Sequence, residues 1–370
     1  MDVTAAVIVK NEERCIKRCI DSVLPLFTEI VVVDTGSTDS TLDIVSSYEP
    51  SQVKLFHCTW NDDFSEPRNM AISQANCKYI FFIDADEFVI SDKNTVCSEI
   101  ERVERICDNH TYAWSPGIRD TGDNNITCSV RRFFRNTGFF YFAGYVHEEL
   151  RNKEHNAVTD QNLNIILSHD GYSPEVMCSK EKKERNRHLN IKNTLLEPDN
   201  LRWTYFLYRD NFEDFSSEDI CYNLSRLLKK NQDEDLSLNN IIFCDYTFPL
   251  VDLMVMAKLE LMDDEAGFNT LLSVMNSIIP NNSNAVYYEV VFYLLKWKIF
   301  ANKTMARLIR LRKENKLLHD DMLHSEGMHI DAALAFYLHE AGFSEQGEKL
   351  LTSVRKSGFI TPLTEKYICS

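Results

Sequence analysis

The sequence contains no run of about 18 consecutive apolar residues, the length a membrane-spanning helix needs. It also lacks a basic excess. Its 40 Lys and Arg face 56 Asp and Glu, a formal net charge of −16. That balance excludes a nucleic-acid binder, which needs a basic footprint, and makes anionic membrane surfaces poor partners. No Gly-x-Gly-x-x-Gly follows the first predicted strand and no Gly-Lys-Ser/Thr loop occurs, so dinucleotide and P-loop sites fall away. The eleven cysteines include no Cys-x-x-Cys, the closest pair being Cys15 and Cys19, and no Cys/His spacing suits zinc. Scattered core thiols in a reduced compartment follow. Met1 to Lys10 has a short apolar stretch with no basic segment ahead of it. It reads as a first strand rather than a signal peptide, and the expected place is the cytoplasm.

What is present is an ordinary globular composition, 44% hydrophobic and 26% charged over 370 residues. Single cores rarely grow past about 250–300 residues, so two domains are expected. The first third alternates strand and helix patterns: strand 3–9, helix 12–23, strand 29–34, a helix through Ser46, strand 53–57, a helix from about Pro67 and strand 79–83. Such alternation predicts a parallel sheet covered on both faces. Shorter β-like pieces follow at 112–115, 129–134, 139–142 and 163–168, and Ser173-Pro174 marks a boundary. Beyond it lies the charged run 180–187, a solvated helix face. Residues 175–370 carry helical patterns, with inter-helix turns at 195–200 and 278–282. Residues 331–343 with 346–354 resemble a helix–turn–helix pair of tetratricopeptide type, although no clean 34-residue period emerges. The domains divide as 1–175, α/β, and 176–370, all-α.

The run Tyr79-Ile-Phe-Phe-Ile-Asp-Ala-Asp-Glu87 carries the chemistry. On an extended backbone Asp84 and Asp86 point to one side and could hold a divalent cation through oxygen. Strand C-terminal ends are where open α/β sheets place ligands. A metal there suits a diphosphate leaving group, and a sugar nucleotide is a donor of that kind. Asp34 leaves the second strand in a turn of small polar residues where a nucleoside could bind. Arg68 sits in a first helical turn, where a cation does not complement the helix dipole. It faces an anionic ligand or pairs at the surface with Asp62 or Asp63. Of Arg131, Arg132 and Arg135, one could reach a diphosphate. Val146-His147-Glu148-Glu149 offers the groups of a general base, and His169 a metal ligand.

In order, Val9-Lys-Asn-Glu12, Val33-Asp-Thr-Gly-Ser-Thr-Asp39, Asp63-Phe64, Arg68-Asn69, Asp84-Ala-Asp86, Arg131-Arg-Phe-Phe-Arg135, Val146-His-Glu-Glu149 and His169-Asp-Gly-Tyr172 resemble family-2 inverting glycosyltransferases of the GT-A fold. The resemblance is strongest to the sublancin-type peptide S-glycosyltransferases of glycocin biosynthesis and extends to about residue 210. It implies an α/β GT-A (nucleotide-diphospho-sugar transferase) domain followed by an all-α tetratricopeptide-like domain. It places Val9, Asn11, Asp34 and Arg68 at the uridine, Asp84 at the ribose and Arg132 at the donor. Asp86 and His169 would hold Mg2+ or Mn2+, and Glu148, beside His147, would be the catalytic base. Two features depart from the family pattern. The chain opens directly on its first strand, and Ala143 stands where a histidine precedes Val-His-Glu.

The expected activity is metal-dependent transfer from a UDP-sugar, with UDP-glucose the favoured donor, to a Cys or Ser side chain of a small peptide. The helical domain would bind that peptide, and a homodimer is left open. One rival is a cell-envelope saccharide acceptor such as lipopolysaccharide core. The other is a helical-repeat scaffold carrying a dead transferase fold, against which the intact Arg68, Asp84, Asp86 and Glu148 speak.

Overall fold

The structure is a computed structural model describing residues 1–106, 111–120, 126–128, 130–155, 157–169, 180–262, 264–314 and 323–359. It forms two compact units, Met1–Phe212 and Glu213–Ser370. The first begins with β1 (Val3–Val9), α1 (Ile16–Val23), β2 (Glu29–Asp34), α2 (Thr41–Ser46), β3 (Val53–His57), α3 (Ser65–Gln74) and β4 (Tyr79–Phe82). It continues with β5 (Glu87–Val89), α4 (Lys93–Arg105), β6 (Tyr112–Asp120), β7 (Ile126–Thr127), β8 (Phe133–Arg135), β9 (Phe140–Ala143), β10 (Glu149–Asn152) and β11 (Thr159–His169). Two helices close it, α5 (Lys180–Leu196) and α6 (Leu201–Asp210).

The sheet runs β3-β2-β1-β4-β8-β6-β11-β5, with β7 on β6 and a separate β9–β10 hairpin. β1 to β4 are parallel. Their central strands are apolar on both faces because helices cover both sides: α1 and α4 bury Ile16, Ile20, Val96 and Ile100 against Val7 and Phe81. Opposite them, Ala71 of α3 and the hairpin's Phe142 and Leu150 cover Val31, Val33 and Phe82. The expected parallel sheet stops there. β8 runs antiparallel to both β4 and β6, so the sheet as a whole is mixed.

Other boundaries shift for local reasons. Helix α1 begins at Ile16 rather than Glu12, because the Glu12 carbonyl accepts from the N–H groups of Cys15 and Ile16 as a preceding turn. β6 runs on through Pro116-Gly117 alongside β11, whose register breaks between Leu163 and Ile166. The amphipathic α4, capped by Asp92 on the N–H groups of Asn94 and Thr95, had no counterpart in the sequence reading. The charged run opens α5 as expected, with Lys182 to Glu184 exposed and Arg185 to Arg187 half-buried. Ser173-Pro174 and the Asp170–Tyr172 motif lie outside the described residues. The first unit extends beyond the division at 175, because α5 and α6 are bonded to the hairpin region: Asn193 to Tyr145 and Val146, Glu197 to Arg151.

The second unit is built from α7 (Ser217–Leu228), α8 (Thr247–Leu261), α9 (Glu265–Ile278), α10 (Ser283–Lys313), α11 (Met328–Glu340) and α12 (Ser344–Lys356). The turn at 278–282 forms as read, with Asn282 capping α10. Phe268 and Phe292 stack 4.0 Å apart where α9 meets α10. The expected helix pair appears as α11 and α12, turning at Gly342, whose φ of +85° suits a residue without Cβ. No described helix is long and apolar enough to cross a membrane.

Candidate active site

Loops leaving the C-terminal ends of β1, β2 and β4 form the site, as expected for an open α/β sheet. Asn11, at φ +57°, joins the first two: its Oδ1 accepts from Thr38 N–H at 2.7 Å and its own N–H donates to Ser37 Oγ. Asp34 is 3% exposed and its carboxylate accepts from the N–H groups of Gly36 and Ser37, each at 3.0 Å. Its first task is therefore to shape the turn. Val9 turns its side chain into the core, and its carbonyl already accepts from Thr35. Any part Val9 takes in binding a base comes from packing that turn.

The two aspartates of the β4 run take different partners. β4 ends at Phe82, and residues 84–87 form a tight turn in which Glu87 N–H donates to the Asp84 carbonyl at 2.9 Å. The backbone there is no longer extended, so the period-2 rule of a strand does not apply to the two side chains. Asp84 accepts from Arg132 at 2.8 Å and faces Arg68 at 3.5 Å. Arg132 also donates to Glu87, which is 2% exposed. The guanidinium expected at a diphosphate is thus buried beneath the turn, holding two carboxylates. Burial opposes ionisation of Asp84, yet Arg132 and Arg68 hold it below the usual carboxylate range. Burial pushes Glu87 up to about 7 against the pull of Arg132, with Asp84 pushing the same way.

Asp86 meets another partner: its Oδ2 lies 3.3 Å from His169 Nε2. Antiparallel pairing of β5 with β11 sets His169 opposite Glu87 and so beside this turn. His169 Nδ1 meets Asp120 at 2.8 Å. The hydrogen bond to Asp86, opposed by burial and aided by Asp120, raises the imidazole to about 9, so it carries a proton at neutral pH. One carboxylate and one imidazole side by side fit a divalent ion that takes that proton's place. Among the described residues no three His, Cys, Asp or Glu side chains gather to hold a metal. Ligand oxygens would have to fill the remaining positions.

Arg68 is not a surface group paired with Asp62 or Asp63. It lies over the rings of Phe82 and Phe142, each 5.2 Å from its guanidinium carbon, and its Nε donates to Glu148. It thereby links Asp84 to Glu148 across the site. His147, at φ +53°, points away from them: its Nε2 meets Asp210 of α6 at 2.6 Å and its ring stacks on Phe206.

Residues 4–169 match the profile of Glycosyl transferase family 2. This part of the chain belongs to that family. The SPbeta prophage-derived glycosyltransferase SunS of Bacillus subtilis (strain 168) is 35% identical over 209 residues, 56% of this chain and 49% of the relative. A TPR repeat-containing protein of Synechococcus elongatus is 30% identical over 194 residues, 50% of this chain and 46% of the relative. A lipopolysaccharide core biosynthesis glycosyltransferase of Rhizobium meliloti is 35% identical over 89 residues, 24% of this chain and 32% of the relative. The chain spans about half the length of the first two relatives, or less.

The matched segment is an α/β domain with a mostly parallel sheet, and helices follow it. Its site contains residues that sequence reasoning passed over. Glu87 read as the end of an acidic run, yet it anchors Arg132 and accepts from Asp84 N–H at 2.9 Å. Asp120 carried no signal, since only the parallel pairing of β6 with β11 brings it to His169. Asn69, next to Arg68 in the motif, grips the Phe142 backbone through both amide atoms and fixes β9 beneath the site.

Proposed function

We propose that the chain is a metal-dependent inverting glycosyltransferase that moves a sugar, glucose by preference, from a UDP-sugar to a cysteine or serine side chain of a small peptide. The observation that carries this reading is Arg68 joining Asp84 to Glu148, which sets a base carboxylate beside the acidic turn of a family 2 site. Asn11 and the Asp34 turn form the nucleoside end. Asp86 and His169 would hold the divalent ion. When bound, that ion neutralises charge on the departing diphosphate. Glu148 takes the proton of the acceptor thiol or hydroxyl as its S or O forms a bond to sugar C1, while the C1–O bond to the diphosphate breaks on the opposite face. The motif resemblance to peptide S-glycosyltransferases supports the peptide acceptor, and a thiol suits it because part of it is thiolate near neutral pH. The helical second unit is the expected seat of the peptide.

Similarity to the lipopolysaccharide core enzyme favours a second reading, an envelope saccharide as acceptor. The test is intact mass of Cys- and Ser-containing peptides and of oligosaccharides after incubation with UDP-glucose, UDP-N-acetylglucosamine and Mn2+. One hexose added to a peptide, abolished by EDTA and restored by Mn2+, is expected. Glu148→Gln should lower turnover by about 10²–10⁴-fold. Modification of the oligosaccharide alone replaces the peptide reading, and undiminished turnover in Glu148→Gln removes the base.

A further inference from the structure

Glu148 stands in a segment whose preceding residues are each held from outside the sheet. Gly144 sits at φ +105°, and a Cβ there would come within 2.4 Å of the Trp203 ring of α6. Tyr145 N–H donates to Asn193 Oδ1 at 2.8 Å, and Asn193 Nδ2 donates to the Val146 carbonyl at 2.9 Å. The His147 carbonyl accepts from Arg202 at 2.7 Å, and its ring is fixed by Asp210 at 2.6 Å and by Phe206, stacked at 4.1 Å. Beyond Glu148, Arg151 of β10 is bidentate to Glu197, which also accepts from Trp203 Nε1. All these partners come from α5, α6 and the turn between them.

A left-handed backbone at a non-glycine residue costs of order 1–3 kcal/mol and persists only where its surroundings over-determine it. His147 is such a residue, and its conformation sets the direction in which Glu148 leaves the chain. Resting on the reading of Glu148 as base, we infer that α5 and α6 are part of the catalytic apparatus, with Asp210 a positioning residue that acts through His147 to aim Glu148. His147 is then a lever rather than an acid or base. Asp210 is itself steadied by Asn190 at 3.2 Å and Arg209 at 2.8 Å, so the clamp has a backing. The donor groups Asn11, Asp34 and Asp86 lie on other loops, outside its reach.

The experiment compares Asp210→Ala and Asp210→Asn in the full chain, in wild-type and Glu148→Gln backgrounds. UDP released from UDP-glucose with Mn2+, water serving as acceptor, gives the kinetics. Hydrogen exchange over residues 144–148 gives a readout that needs no activity. Misplacing a reacting group by about 1 Å can cost on the order of 100-fold. Asp210→Ala should therefore lower kcat by ~10–100-fold with the donor KM little changed, and Asp210→Asn, which keeps an acceptor oxygen for His147, should recover most of it. In Glu148→Gln the same change should add almost nothing, because both act through one group. Exchange at 144–148 should rise in Asp210→Ala while β1 to β4 stay protected. Unchanged exchange, or the same fold loss in both backgrounds, overturns the inference. Full activity of Glu148→Gln removes the base reading instead, and the exchange comparison then decides the clamp alone.

Discussion

Replacing Arg132 by methionine should destabilise the first unit and make its stability fall more steeply with pH. The side chain is buried, 7% exposed, between Asp84 and Glu87. Removing one partner of a buried ion pair costs about 3–5 kcal/mol, because the remaining charge is left without compensation. Glu87 already titrates near 7 in the folded chain, above its ordinary 4.5, through burial. A folded value above the unfolded one means that the native state binds more protons between the two. Its stabilising contribution is complete below 4.5 and is lost as pH rises to about 7. Arg132 pulls Glu87 downward, so the methionine variant carries the loss to higher pH. Asp84, held low by the same arginine, loses its opposite contribution as well. Urea unfolding followed by tryptophan emission suits the test, since Trp60, Trp114 and Trp203 of the four tryptophans lie in the first unit. The expected loss is larger at pH 8 than at pH 5. A loss below about 1 kcal/mol, or an equal loss at both pH values, would refute the argument, since breaking a buried pair cannot be that mild.

Two further outcomes follow from the same packing. Gly144→Ala must push its methyl into the Trp203 ring and hold alanine at φ +105°, so it should lower first-unit stability by about 1–3 kcal/mol in the same urea assay. A fragment ending at 175 should be insoluble or unfolded, whereas one ending at 212 should give a dispersed amide spectrum, because Asn193, Glu197 and the fully buried Trp203 belong to the first unit.

The sequence by itself determined the parallel half of the sheet. β1 and β2 begin and end where apolar runs meet turn residues, because strands buried on both faces leave an unbroken hydrophobic signature. The ordered motifs also singled out Asp34, Arg68, Asp84, Asp86, Glu148 and His169, Asp34 and Asp84 because they close or follow such a run and Arg68 because a cation stands in the first turn of a helix. Tertiary structure alone decided what these residues do to one another. The period-2 rule put Asp84 and Asp86 on one side, but the turn at 84–87 sent one to Arg68 and Arg132 and the other to His169. Arg68 found Glu148, 80 positions away, rather than its acidic neighbours. The charged run 180–187 read as a solvated helix face, yet later turns of the same helix bury Asn190 on Asp210 and Asn193 against the loop before Glu148. Local pattern reports which face of an element is apolar. It holds no record of which distant carboxylate a guanidinium will meet, because burial and charge compensation are settled only when the whole domain closes.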